Sequence, residues 1–154
     1  MGTYSFRKDL EKSKASVVEA AKRLEEAEFL DGLFFVKEVR DNSADLIIHN
    51  PWTEETKLVE VKEDFYCKKS GNVALEVECR GKPSGLAASL ADYWMYKIHQ
   101  PDSTVFWGLV PIQDLFRAIR DKVFLREVVG GDKGSSTRMY LFSLDDFKAL
   151  CNEV

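Results

Sequence analysis

The sequence predicts an α/β or α+β fold in which helices flank one central sheet. An amphipathic helical pattern opens the chain, and short runs rich in β-branched and aromatic residues follow it. A second helical pattern then precedes a further apolar run. At 154 residues the chain has the length of one ordinary domain, so we expect a single domain spanning residues 1–154.

The composition indicates a globular, soluble protein. Hydrophobic residues make up 45% of the chain and charged residues 31%. No apolar run approaches the roughly 20 residues of a membrane span, and the polar N-terminus is unlike a secretory signal. The three cysteines, Cys67, Cys79 and Cys151, have no disulfide or zinc spacing. We therefore expect the cysteines to be free thiols and the protein to be cytoplasmic. If a phage encodes the chain, the compartment would be the cytoplasm of the host cell.

The net charge of −4 argues against a protein that coats nucleic acid without specificity, because such proteins are usually basic. It does not exclude a nuclease. A carboxylate-rich metal site and a local basic patch can coexist on an acidic chain.

The first predicted element is a helix over Phe6–Phe29. Apolar residues recur at steps of three and four and form one stripe: Val17, Ala20, Ala21, Leu24 and Ala27. Charged residues occupy the opposite face, which we expect to be solvated: Lys12, Glu19, Lys22, Arg23 and Glu26.

Four predicted strands follow, separated by turns of polar residues, proline and glycine. The strands are Leu33–Arg40, Asp45–Ile48, Lys57–Lys62 and Val73–Cys79. The connections are Asp41–Ser43, Asn50–Glu55 and a charged loop that turns at Lys68–Asn72.

The second half of the chain alternates between helical and strand patterns. After a basic turn at Arg80–Gly85, a stripe of Leu90, Ala91, Trp94, Met95 and Ile98 predicts a helix over Leu86–His99. A strand Thr104–Val110 and a helix Gln113–Lys122 are predicted next. Two strands, Val123–Val129 and Arg138–Phe142, are then predicted on either side of a loop Gly130–Ser136. The last predicted element is a helix Asp145–Asn152 capped by Ser143.

Two carboxylates and a lysine stand out on the second and third strands. Side chains alternate along a strand, so Glu60 and Lys62 point the same way. If the two strands form an antiparallel hairpin with Ile48 opposite Lys57, Asp45 lies opposite Glu60. Two carboxylates so close repel each other unless a proton or cation lies between them.

Such an oxygen-rich pair suits Mg²⁺ or Mn²⁺. Beside it, the ammonium group of Lys62 could hold a phosphate or help to position and deprotonate an attacking water. A bound metal would polarise the phosphoryl group and lower the pKa of its water. Together these groups suit hydrolysis of a phosphodiester bond.

The pattern of Asp45, fourteen intervening residues and then Glu60-Val61-Lys62 resembles the PD-(D/E)XK, or restriction-endonuclease-like, nuclease superfamily. The resemblance implies a core of order α-β-β-β-α-β over about residues 16–110, with a central mixed sheet, and an α+β extension over about 111–154. Ala44 occupies a position where the superfamily often has proline. The residue at this position varies within the superfamily. Segments from Gly71-Asn72 to Ala91-Asp92-Tyr93-Trp94 also look like parts of small phage-type nucleases of this superfamily.

The resemblance implies a Mg²⁺-dependent (or Mn²⁺-dependent) endodeoxyribonuclease or resolvase whose partner is DNA, branched or site-specific, and which acts as a homodimer in many members. Asp45 and Glu60 carry over as metal ligands together with the backbone carbonyl of Val61, and Lys62 carries over as the catalytic lysine. Many members also have an acid on the first helix. We do not carry this role over to Glu19, because the helical stripe places it on the solvent side.

Further residues qualify as additional contacts. Glu76 is a candidate metal ligand if its strand lies beside the third strand, and an ordinary solvent-facing acid otherwise. Four cations in turns could contact phosphates, or simply be soluble turn residues: Lys68, Lys69, Arg80 and Lys82. Ser84 either caps the following helix, which we favour, or contributes to a phosphate site at the helix N-terminus.

Three alternatives remain open at this stage: a catalytically inactive nucleic-acid-binding module of the same fold, an RNA-directed nuclease, and a small interaction protein whose charged strand pair is structural. Metal dependence separates the nucleases from the others. No motif in the sequence reads bases, so it does not identify a target.

Overall fold

The computed structural model describes residues 6–27, 35–39, 44–130 and 136–154 of the chain. The helices in these segments are α1 (Phe6–Glu25), α2 (Cys67–Ser70), α3 (Ile112–Arg120) and α4 (Leu144–Leu150), with a 3₁₀ helix at Gly85–Ala88. The strands are β1 (Phe35–Glu38), β2 (Leu46–His49), β3 (Thr56–Asp64), β4 (Asn72–Cys79), β5 (Lys82–Pro83), β6 (Tyr93–His99), β7 (Val105–Pro111), β8 (Arg126–Gly130), β9 (Thr137–Ser143) and β10 (Asn152–Glu153).

The larger sheet has the strand order β1-β2-β3-β6-β7-β10. Strands β3 and β6 are parallel, and the other neighbours are antiparallel. The prediction of a central mixed sheet is therefore confirmed. The predicted register is confirmed as well, because Ile48 lies opposite Lys57 in the β2–β3 pair.

The predicted helix over Leu86–His99 is wrong. The chain forms the short 3₁₀ helix and then β6, which pairs with both β3 and β7. Trp94, Met95 and Tyr96 are consecutive and all buried, because β6 is covered on both faces. A strand buried on both faces has a nearly continuous apolar run, and periodicity alone does not distinguish such a run from a helix.

The smaller sheet is antiparallel, with the order β5-β4-β9-β8. Strand β4 therefore does not lie beside β3, whose two edges are occupied by β2 and β6. A tight hairpin joins β4 to β5 through Arg80 and Gly81, which have φ angles of 53° and 74°. The predicted basic turn thus has the left-handed backbone of a two-residue hairpin.

The larger sheet separates two apolar clusters. On one face, Ala20 and Leu24 of α1 pack against Leu46, Val59 and Met95. This confirms the predicted apolar stripe of the first helix. On the other face, one cluster joins residues of both sheets to residues of α3 and α4, including Leu75, Trp94, Ile98, Leu115, Phe142 and Phe147.

The predicted elements after residue 110 are confirmed, with small shifts at their ends. Ser143 caps α4, since its hydroxyl accepts a hydrogen bond from the Asp146 N–H at 3.1 Å. Two strands tie this part to the rest of the chain: β9 pairs with β4, and β10, which the sequence did not predict, pairs with β7. Elements after residue 110 therefore belong to both sheets.

Some predictions fall outside the described residues. These are the turn Asp41–Ser43, the ends of the predicted first strand at Leu33, Phe34 and Arg40, the end of the first helix at Glu28 and Phe29, and the loop residues 131–135.

A helix long and apolar enough to cross a membrane is not found in the described part of the chain.

Candidate active site

Asp45 lies in a bend immediately before β2 and extends the β2–β3 contact by one residue. Its backbone N–H donates to the Val59 carbonyl at 2.9 Å. Its carboxylate Oδ2 accepts a hydrogen bond from the Val61 N–H at 2.8 Å. The Asp45 side chain therefore takes the place of a strand partner where β2 begins, and this fixes the carboxylate against β3.

Glu60 and Lys62 project from the same face of β3, as the alternation of strand side chains predicts. Lys62 Nζ lies 3.7 Å from Glu60 Oε1, and each side chain is about one third exposed, at 37% and 32%. Asp45 approaches this pair through the β3 backbone, because the Val61 N–H that donates to its Oδ2 lies between Glu60 and Lys62 along the strand.

Glu60 and Lys62 thus form a solvent-accessible pair, and the Asp45 carboxylate is hydrogen-bonded to the β3 backbone between them.

Ser89, which the sequence did not single out, holds Glu60 in place. Its hydroxyl donates to Glu60 Oε2 at 3.3 Å and accepts from the buried Trp94 Nε1–H at 3.0 Å. The Trp94 ring in turn lies under Lys62, with Nζ 4.9 Å from the ring centroid. Ser89 and Trp94 thus orient both members of the Glu60–Lys62 pair. The sequence carried no signal for this contact, since Ser89 reaches Glu60 only once β6 lies beside β3.

The backbone carbonyl of Val61 faces the same side as Asp45. Both the Val59 carbonyl and the Val61 N–H bond to Asp45, so this set of β3 backbone groups points towards β2. A residue's N–H and C=O point to the same side of a strand, so the Val61 carbonyl does so as well.

These donors fit a small divalent cation. Mg²⁺ typically binds one or two protein carboxylates and keeps several of its waters. Asp45, Glu60 and the Val61 carbonyl are a donor set of this kind. Across residues 6–27, 35–39, 44–130 and 136–154, no group of three or more His, Cys, Asp or Glu side chains is arranged to hold a metal.

Glu76 lies across a cleft from β3 rather than beside it. Both Glu76 and Lys62 line an open cavity of about 840 Å³ between the two sheets. Arg80 also lines this cavity. The sequence therefore named three residues of one cleft, although its assumption of adjacent strands was wrong.

The other predicted contacts lie away from this cavity's lining. Lys68 and Lys69 are exposed on α2, and Lys82 is exposed on β5. Ser84 precedes the 3₁₀ helix, but its hydroxyl makes no capping hydrogen bond and is buried without a partner among the described residues. Ser84 is therefore the N-cap residue, as favoured, but it caps through its backbone carbonyl, which accepts from the Ala87 N–H at 3.0 Å.

A second polar cluster occupies the opposite face of β3, under α1. Glu63 accepts from the Ser16 hydroxyl at 2.8 Å and lies 2.7 Å from His99 Nε2. Lys97 lies 3.8 Å from Glu63 and 3.5 Å from Glu19. The expectation that Glu19 is simply solvated is therefore wrong, since it helps to join α1 to β6. His99 ends a strand rather than a helix.

Cys67 and Cys151 are free thiols. Burial raises the pKa of the Cys151 thiol to about 12 and also raises the pKa of the Cys67 thiol. The thiolate is the nucleophilic form, so neither of these two buried groups is suited to covalent chemistry.

Comparisons with known proteins give one similarity of structure. No protein-family model matches the sequence, and no curated protein matches it. The fold is similar to that of a bacterial homing endonuclease, I-Ssp6803I, with a TM-score of 0.43 and 15% sequence identity. The aligned region covers 86% of this chain and 79% of that chain. The function proposed below rests on this chain's own residues rather than on that similarity.

Proposed function

We propose that the protein is a metal-dependent endonuclease that hydrolyses phosphodiester bonds of DNA with an activated water. One observation carries the proposal: Lys62 Nζ lies 3.7 Å from Glu60 on a solvent-accessible face of β3, and the Asp45 carboxylate is held 2.8 Å from the Val61 N–H between them. Two carboxylates with a cation beside them, held by backbone and side-chain hydrogen bonds, form a pre-organised set of oxygen donors.

Mg²⁺ or Mn²⁺ is the proposed cofactor, held by Asp45, Glu60 and the Val61 carbonyl. When bound there, the ion would neutralise charge on the phosphate and lower the pKa of a coordinated water. The hydrogen bond from Val61 N–H leaves the second oxygen of Asp45 available as a ligand. Mg²⁺ and Mn²⁺ prefer hard oxygen donors of this type, which is why we favour them over zinc.

Lys62 is proposed as the catalytic residue. Its ammonium group is placed to bind a non-bridging phosphate oxygen and to orient the attacking water. The adjacent Trp94 ring and Glu60 hold its position, so little side-chain entropy remains to be lost when a phosphate binds. Glu60 in turn keeps its orientation through Ser89.

Cleavage of plasmid DNA tests the proposal. The wild type is incubated with Mg²⁺, with Mn²⁺ and with a chelator, beside Glu60→Ala and the control Glu55→Ala. Glu55 is an exposed acid whose side chain pairs with Lys57, so its removal leaves the proposed site intact. We expect nicking or cutting with either metal, none with chelator, and none by Glu60→Ala, with Glu55→Ala as active as the wild type.

A structured RNA and a branched DNA are included as substrates in the same assay, to separate an RNA-directed enzyme or a junction resolvase from a general DNA endonuclease. Cleavage of RNA alone would replace DNA as the substrate. Metal-independent cleavage, or full activity of Glu60→Ala, would refute the proposal.

A further inference from the structure

The two sheets enclose the open cleft of about 840 Å³ that begins at Lys62. We refer to it as the inter-sheet cleft and define it by Lys62, Tyr66, Glu76, Arg80, Arg126 and Met139, which lie on its walls. Because Lys62 belongs to both, the cleft is continuous with the proposed active site. A ligand that lies in the cleft therefore also reaches that site.

Two arginines on the cleft walls differ from other arginines of the chain. Arg117, Arg120 and Arg138 each form an ion pair with a nearby carboxylate. Arg80 and Arg126 have no carboxylate within 4.0 Å in the segments that the structure describes, and both are exposed. Two cations without a carboxylate partner on one cleft are available to an external anion.

One acidic residue of the cleft already accepts a backbone hydrogen bond. Asp64 accepts a hydrogen bond from the Cys67 N–H at 2.9 Å and so stabilises the start of α2. Glu76 is a second acid of the cleft wall. Glu63 lines the cleft as well, but its carboxylate bonds to the Ser16 hydroxyl on the opposite face of β3. With Lys62, Arg80 and Arg126 against Asp64 and Glu76, the side chains facing the cleft leave an excess of positive charge, although the whole chain is acidic.

The cleft also offers surfaces on which a base can pack. Tyr66, at the start of α2, is 83% exposed. Met139 and Leu141 of β9 are partly buried and provide an apolar floor. Cations that follow a backbone, combined with an aromatic ring that stacks on a base, are characteristic of proteins that bind single strands.

The size of the cleft favours one strand over two. At about 840 Å³ the cleft has the volume of a pocket that encloses a small molecule. Such a volume holds a few unstacked nucleotides of one strand but not a duplex, whose major groove alone is about 12 Å wide.

We propose that the inter-sheet cleft binds an unpaired, single-stranded segment of nucleic acid, whose phosphates contact Arg80 and Arg126 and lead to Lys62, and one of whose bases stacks on Tyr66. The choice of nucleic acid as ligand rests on the proposed function. The preference for a single strand rests on the cleft itself. The substrate would then be a strand end, a flap or a locally melted site rather than an uninterrupted duplex.

Fluorescence anisotropy tests this inference without requiring cleavage. A labelled oligothymidine of about 12 nucleotides, within the usual site size of such grooves, and a duplex of the same length are titrated with full-length protein in the presence of chelator. We expect the single strand to bind about tenfold more tightly than the duplex.

Variants locate the binding surface. Tyr66→Ala should weaken binding of the single strand about tenfold, the range typical for loss of one stacking ring. The double variant Arg80→Ala/Arg126→Ala should weaken it at least as much and make the affinity less dependent on salt. Arg117→Ala, which removes a paired arginine on α3, is the matched control and should bind like the wild type. All four side chains are exposed, so circular dichroism should show unchanged folding.

The outcomes separate this inference from the proposed function. Preference for the duplex, wild-type affinity in the double variant, or no binding of the oligothymidine would each overturn the single-strand inference, even if plasmid is cut. Binding of the single strand that depends on Arg80, Arg126 and Tyr66 would support it, even if the plasmid assay shows no cleavage.

Discussion

At the scale of single residues, Lys62 is proposed to act on the phosphate rather than on the metal. Replacing it by methionine keeps the alkyl contact with the Trp94 ring but removes the charge. We expect Lys62→Met to lower the rate of plasmid cleavage by about 10²- to 10⁴-fold, the usual contribution of a positioned proton-transfer or charge-stabilising group. Calorimetry should show Mn²⁺ affinity within about twofold of the wild type, since the two carboxylates remain.

Lys57→Met is the matched control, because Lys57 lies on the same strand and pairs with the exposed Glu55. It should cut at the wild-type rate. If Lys62→Met cuts as fast as Lys57→Met, Lys62 has no part in the reaction.

Ser89 is a positioning residue in this account, since it acts through Glu60. Ser89→Ala removes the acceptor of the buried Trp94 N–H and the donor to Glu60. We expect the free energy of unfolding to fall by about 1–3 kcal/mol, the cost of leaving a buried donor without a partner. We also expect Mn²⁺ to bind about tenfold more weakly, as is common when a contact behind a metal ligand is lost.

Ser89→Thr keeps the hydroxyl and should restore most of the Mn²⁺ affinity, which a purely structural role would not require. Urea unfolding and calorimetry on the two variants give both quantities. Equal Mn²⁺ affinity in Ser89→Ala and wild type would leave Ser89 with a structural role alone.

Side-chain alternation predicted that Glu60 and Lys62 share one face, and the structure has them so. The predicted opposition of Ile48 and Lys57 is also present, whereas the role of Asp45 beside them stays a prediction. The sequence did not predict the contact of Ser89 with Glu60, because this contact forms only when β6 pairs with β3.

At the scale of elements, the wrongly predicted helix over Leu86–His99 shows that a local apolar pattern does not by itself distinguish a helix from a strand. Trp94, Met95 and Ile98 are spaced as on a helix, but Leu90 of the same stripe is 73% exposed. The segment is a strand because β3 and β7 cover its two edges, and its alternate side chains fill two different cores. Tertiary pairing of this kind overrides local propensity.

The turn before β6 depends on Gly85, which allows the 3₁₀ helix to pack against β4. Its φ angle is +50°, and a Cβ added there would lie 2.4 Å from the Glu76 carbonyl oxygen. Gly85→Ala must therefore displace the β4 backbone at Glu76 and also strain its own backbone at a positive φ. We expect a loss of unfolding free energy of at least about 2 kcal/mol, at the upper part of the range for strained backbone.

Gly71→Ala is the control for backbone strain alone. Gly71 has a φ of +72°, and an added Cβ would meet no atom within 4 Å. This substitution should cost about 1 kcal/mol, the penalty for a left-handed residue with a side chain. Equal losses in the two variants on urea unfolding would mean that the contact of Gly85 with β4 does not constrain the fold.

At the scale of the whole molecule, one strand serves two purposes. The face of β3 with Val59 and Glu63 lies under α1, where Glu63 bonds to Ser16. Its opposite face presents Lys62 to the inter-sheet cleft, with Glu60 3.7 Å from the Lys62 ammonium group. The predicted packing of the first helix on the central sheet accounts for the face under α1. The cleft on the opposite face exists because β4 pairs with β9, and no local sequence pattern predicts a pairing between strands so far apart in the chain.

The central claim is that Asp45 and Glu60 jointly hold one divalent cation. Calorimetric titration with Mn²⁺ tests it most directly, using the wild type, Asp45→Asn, Glu60→Gln and the control Glu55→Gln. Both isosteric variants keep an oxygen that accepts the hydrogen bond from Val61 or Ser89, so the fold is preserved. We predict one bound ion in the wild type and in Glu55→Gln, and affinity at least about tenfold weaker in Asp45→Asn and Glu60→Gln. Mn²⁺ binding that is unchanged in these two variants, or absent from the wild type, would contradict the account.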